Sequence, residues 1–132
     1  MTAVPTRQLL IIRIALISGV GLFAALTAWL RSSGQIPAAS AELLAKLAVM
    51  RSVVWGLAVA AVGVALIIRG QLDALSEAAE RRRLIIGWSV GEGVALFGVV
   101  QFYQGGLLVT MAVGVLAFAA VLLILPIPRT RS

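Results

Sequence analysis

The chain has 132 residues, of which 61% are hydrophobic and 12% charged, with a formal net charge of +6 and a mean hydropathy of +1.09. A soluble domain is roughly half apolar and a quarter charged, so this composition argues against one and points to a bilayer. The chain has no Cys and no His, which removes disulfides, thiolate chemistry, zinc sites, imidazole ligation of haem and histidine acid–base catalysis together.

Four runs can cross a hydrocarbon core of about 30 Å, which takes about 20 residues as a helix. They are 9–30, 47–68, 84–103 and 107–125, and none has an interior proline or alternates polar and apolar residues at period two. The expected fold is therefore all-α: a polytopic membrane protein whose four transmembrane helices form two antiparallel hairpins in a single bundle over 1–132, and not a barrel.

The first run follows Arg7 and contains Arg13. A cleaved secretory signal has an apolar core of about 7 to 15 residues; this run is longer and a base interrupts it, so it reads as an uncleaved span. After Pro37, Ser40 is the expected N-cap of a helical interfacial segment over 40–46, with Glu42 favouring the positive helix end, that leads into the second span. The connection that follows contains a second helical segment over 72–83, with Asp73 as its expected cap and Glu77 four residues before Arg81. Tyr103-Gln104-Gly105-Gly106 reads as a tight turn that makes the third and fourth spans an antiparallel pair. Pro126 and Pro128 end the last helix, and a short tail with Arg129 and Arg131 follows.

Charge placement predicts the topology. Arg7, Arg13, Arg69, Arg81, Arg82, Arg83, Arg129 and Arg131 fall on one side of this arrangement, and only Arg31, Lys46 and Arg51 on the other. The positive-inside rule then puts both termini in the cytoplasm, in a multi-pass protein of the cell's inner membrane. Bases clustered at span ends also attract anionic head groups. A nucleic-acid partner is not expected, because there is no separate basic domain and no aromatic platform for stacking bases.

Small residues mark the packing faces. Gly87, Gly91, Ala95 and Gly98 form a stripe on the third span, and Ser52, Gly56 and Ala60 form one on the second. Such stripes let lipid-embedded helices approach closely and serve either the fold or an oligomer; the intramolecular use is expected first, since four helices need several contact faces. Trp29, Trp55, Phe102 and Tyr103 suit an interfacial belt, whereas Trp88 lies deeper in its run.

Glu92 is the residue that needs a special reason. It stands in the uncharged stretch 84–100, and an ionised side chain at a bilayer centre costs about 2.5 to 3.5 kcal/mol even on the lenient insertion scale. A carboxyl there can be protonated, can pair with Arg13, can bond Ser18, Ser52, Ser89 or a carbonyl, or can line a polar cavity or a subunit interface. The structural reading is a pair that fixes helix register; the functional one is an ion or proton site.

The segment Glu92-Gly93-Val94-Ala95-Leu96-Phe97-Gly98 resembles the ion-binding helix of the proteolipid c/K subunits of rotary V-type and archaeal-type ATPases. That resemblance implies that Glu92 is reversibly protonated or binds Na⁺. It covers these seven residues only, and the carboxylate lies on the third of four spans instead of the last helix of a hairpin. Trp88-Ser89-Val90-Gly91 is similar to a third-helix segment of small multidrug-resistance transporters, whose essential glutamate is on the first helix, where this chain has Arg13.

No Ser-His pair, metal cluster, phosphate loop or paired carboxylates are visible, so neither an enzyme nor a cofactor or metal is expected. Two function classes remain. One is an accessory or assembly subunit packed in a larger membrane complex or a homo-oligomer, with lipid and other membrane subunits, or its own copies, as partners. The other is an ion- or proton-coupled transport or ring subunit that uses Glu92.

Overall fold

The computed structural model describes residues 5–34, 40–104 and 108–128; Pro37, Gly105, Gly106, Leu107, Arg129 and Arg131 lie outside them. The described residues form four α-helices: α1 (Thr6–Ser32), α2 (Ala41–Gln71), α3 (Glu77–Tyr103) and α4 (Leu108–Ile124), with a 3-10 turn, Leu72–Ala74, between α2 and α3. No strand is present among them. At 1.5 Å per residue, α1 and α3 are each about 40 Å long, α2 about 46 Å and α4 about 26 Å. Three helical stretches are long and apolar enough to cross a membrane, namely α1, α2 with its 3-10 turn, and α3; α4 is apolar but shorter, at 17 residues.

Local chemistry sets the boundaries. Ser40 caps α2 as expected, its side chain accepting from the Leu43 amide at 3.2 Å. The interfacial segment over 40–46 is not a separate element, however, because 41–46 are the first turns of α2 itself. The segment over 72–83 is likewise divided. Leu75 is extended (ψ 150°), and the cap is Ser76 and not Asp73: the Ser76 hydroxyl accepts from the Ala79 amide at 3.3 Å, with Glu77 and Glu80 in the first turn of α3. An acceptor side chain directly before the turn satisfies an amide that has no helical partner, which Asp73, three residues upstream, is not positioned to do. At the far end of α1, Gly34 takes φ +73°, and its amide bonds the Arg31 carbonyl. That left-handed conformation closes a helix at little cost only with glycine.

The bundle is built around α3, which packs against each of the other three helices; α2 also packs on α4. α1 and α2 do not form a comparably packed pair among the described residues. Cross-contacts fix the directions. Gly87 faces Leu125, Gly91 faces Phe118 and Val121, and Gly98 faces Thr110, so α3 and α4 run antiparallel. Thr6 meets Arg81 near the starts of α1 and α3, and Arg31 lies over the Phe102 ring near their ends, 5.3 Å from its centre; α1 and α3 are therefore parallel.

The glycines explain the closeness of α3 and α4. A Cβ on Gly98 would lie 2.8 Å from the Thr110 carbonyl oxygen, and one on Gly114 would lie 2.9 Å from the Val94 carbonyl oxygen. Here backbone meets backbone, the contact that small residues permit between membrane helices. The core also holds Leu9, Val20, Ala61, Ala65, Leu84, Trp88, Val99 and Val121, all buried.

Elsewhere the apolar residues point outward. α1 buries only Leu9, Val20 and Thr27, while Leu22 is 73% exposed on α1 and Leu123 is 78% exposed on α4. Large apolar side chains are exposed in this way on all four helices, which suits hydrocarbon as the solvent.

Candidate functional site

The densest set of polar contacts lies at the end of α4. Pro126 and Pro128 have no N–H, so the carbonyls of Leu122 and Ile124, four residues earlier, receive no helical donor. An orphan carbonyl in an apolar medium costs about 1–3 kcal/mol. Two arginines from other helices supply what the prolines cannot. Arg13 on α1 donates through Nη2 to the Leu122 oxygen at 2.9 Å, and Arg69 at the end of α2 donates through Nη1 to the Ile124 oxygen at 2.9 Å. The Leu125 oxygen accepts from Trp88 Nε1 at 2.7 Å and from Arg13 Nη1 at 3.1 Å. Trp88 is fully buried, and the Arg13 guanidinium lies over its ring, 5.4 Å from the centre. Indole and guanidinium thus share one acceptor and stack on each other, a combination worth more than either bond alone because charged donors bond strongly and the ring attracts the cation.

This arrangement reassigns Arg13. Its guanidinium spans the Leu122 carbonyl of α4 and the Leu125 carbonyl just beyond it, and no ion pair between Arg13 and Glu92 occurs among the described residues. The planar fork of arginine suits two carbonyls on adjacent turns, and α4 presents them bare. The sequence did hold a signal for this: prolines at 126 and 128 mark which carbonyls need a foreign donor, and arginines near span ends are the available ones.

Glu92 lies at the edge of the buried face of α3. At 100° per residue it sits between Trp88, Ala95 and Val99, which are buried, and Ser89, which is exposed. It is itself half-buried and makes no hydrogen bond or ion pair among the described residues. Ser18, Ser52 and Ser89 are exposed, and no hydrogen bond joins any of them to it.

The two small-residue stripes have different fates. Gly87, Gly91, Ala95 and Gly98 are all buried, the first two against Leu125 and against Phe118 with Val121. Ser52, Gly56 and Ala60 form an exposed face of α2, and a Cβ on Gly56 would meet nothing within 4 Å. The expected intramolecular use of that second stripe is not found among the described residues.

A second polar set ties the start of α3 to α1. Arg81 is 4% exposed; it donates to Thr6 Oγ1 at 3.0 Å and pairs with Glu77 at 3.2 Å, the helical pairing that the four-residue spacing predicts. Among the described residues no three of His, Cys, Asp and Glu come together as a metal site would require. Beside this apparatus for holding helices stands Glu92, a half-buried carboxyl in the apolar stretch of α3, and comparison with family models, curated proteins and solved structures returns no match.

Proposed function

We propose that this chain is a small subunit of the inner membrane that works by lateral association, packed in a larger complex or with its own copies, with both termini in the cytoplasm. The observation that carries the reading is the face of α2 formed by Ser52, Gly56 and Ala60. It has the small-residue chemistry of the α3–α4 contact, yet none of the described residues covers it. Between helices in lipid such faces provide the close approach that hydrocarbon itself does not drive. The gathering of Arg13, Arg69, Arg81 and Arg83 at one end of the bundle supports the cytoplasmic assignment of that end.

The natural chain lacks cysteine, so Gly56→Cys introduces a unique thiol. Oxidation in native membranes is expected to join two copies through a disulfide at this position if the neighbour is a second copy, and a maleimide photo-cross-linker on the same thiol to trap a neighbour that brings no thiol; neither adduct is expected from Leu57→Cys, about 100° round the helix. Extraction in mild detergent followed by intact mass analysis then separates a homo-oligomer from a complex with other subunits in fixed ratio. A monodisperse species containing one copy of this chain and nothing else, with no adduct from Gly56→Cys, sinks the reading.

A second reading has its own observation. Arg13 is engaged at the end of α4, so Glu92 has no cation partner among the described residues, which favours a carboxyl that takes up a proton or an ion such as Na⁺. The seven-residue resemblance to proteolipids points the same way. A carbodiimide is expected to label Glu92, with less labelling at high pH or with Na⁺; no label where a control proteolipid reacts counts against an ion site.

A further inference from the structure

The described arginines at the basic end are not equivalent: three are already used, and Arg7 is exposed on α1, away from α3 in sequence. Arg13 and Arg69 serve the α4 carbonyls, and Arg81 is buried between Thr6 and Glu77. Arg82 and Arg83 remain exposed. Arg82 makes no ion pair or hydrogen bond among the described residues, and Arg83 uses one edge, Nη1 donating to Gln71 Oε1 at 3.3 Å, so that its other edge is free. The acids nearest in sequence do not answer these charges: Glu77 pairs with Arg81, and Glu80 is buried.

Together with Ala79 and Ile86, these two arginines line a shallow concavity of about 220 Å³. The four positions follow i, i+3, i+4, i+7 and so share one face of α3. Ile86 is 54% exposed and lies about 4.5 Å further along the helix axis than Arg83, toward the apolar run. One free guanidinium and a second with one edge free, followed by an exposed aliphatic side chain, match the order of groups in a phospholipid, phosphate first and acyl chain next.

We propose that Arg82, Arg83, Ala79 and Ile86 form a binding site for one anionic phospholipid, with its phosphate between the two guanidiniums and an acyl chain along Ile86. The site needs the chain to be embedded in a membrane but is independent of whether α2 associates with a partner.

The test uses the full chain in mild detergent with equal mole fractions of phosphatidylglycerol and phosphatidylcholine, and counts retained lipid by native mass spectrometry. Preferential retention of phosphatidylglycerol is expected. It should fall about fivefold for each guanidinium removed in Arg82→Gln/Arg83→Gln, from ~1 kcal/mol per base at an anionic lipid surface. Lys46→Gln/Arg51→Gln removes the same net charge from the other end and should leave retention unchanged. Arg82→Gln alone, at a side chain without bonding partners among the described residues, gives the same readout if the double variant does not fold. Equal retention of the two lipids, an equal loss in both double variants, or displacement by soluble glycerol phosphate would each overturn the proposal, the last because a free anion would then suffice.

Discussion

Replacing Gly98 or Gly114 by alanine will loosen the bundle, and the structure gives the scale. An added methyl would stand 2.8 Å from the Thr110 carbonyl oxygen in the first case and 2.9 Å from the Val94 carbonyl oxygen in the second. Neither oxygen can rotate away, since each belongs to helical backbone. To restore an ordinary contact of 3.4 Å, α3 and α4 must separate locally by about 0.6 Å, and a gap of 0.5–1 Å forfeits roughly a quarter to a half of each contact's dispersion energy. Overpacking of this kind costs about 1–3 kcal/mol. Alanine is also the better helix former by ~1 kcal/mol, but that gain cancels when the comparison is with Gly56→Ala and Gly93→Ala, where the new methyl meets nothing within 4 Å. Thermal unfolding in dodecyl maltoside, followed by tryptophan fluorescence, should therefore rank Gly98→Ala and Gly114→Ala below the other two by about 1–3 kcal/mol. Four variants of equal stability would refute the backbone-to-backbone contact.

The arginine contacts are tested by coupling. In Arg13→Met the Leu122 carbonyl loses its donor, and Pro126→Ala gives back a helical N–H; the second change should therefore stabilise the Arg13→Met protein more than the wild type by ~1 kcal/mol in a double-mutant cycle. Strict additivity would mean that Arg13 does not serve that carbonyl. Ser76→Ala should cost ~1 kcal/mol through loss of the α3 cap, whereas Asp73→Ala should cost less, and the reverse order in the same melt would reinstate Asp73. Arg69→Met should weaken the α2–α4 contact by about 0.5–1.5 kcal/mol, the net worth of a solvent-accessible hydrogen bond, and Pro128→Ala should relieve it; a melt in which Pro128→Ala fails to do so counts against the bond.

The sequence was most readable where the information is local. Helix positions follow from unbroken apolar runs, the Ser40 cap from its place before α2, and the Glu77–Arg81 pair from four-residue spacing. Asp73 misled because Asp and Ser are equally good caps, and the choice between them depends on where the chain turns extended, at Leu75. The two small-residue stripes use the same letters, yet one is buried and the other exposed; which face meets a neighbour is a property of the bundle, not of the helix. Charge alone points Arg13 to Glu92, whereas a bare carbonyl carries no charge that marks it in the sequence. The carbonyls that claim it sit more than a hundred residues away, and proline is what leaves one of them open.

The closure of α4 also bears on how the chain finds a single register. Leucine and valine faces are nearly indifferent to sliding in hydrocarbon, because lipid tails satisfy them as well as another helix does. A shift of α4 by one residue moves each carbonyl about 1.5 Å along the axis and about 100° around it, which takes Leu122 and Leu125 away from Arg13 and Trp88 in one step. The polar bonds are therefore a detent on an otherwise smooth surface. Donors on α1, α2 and α3 find their acceptors at the same end of α4, so its register is fixed against all three helices at once.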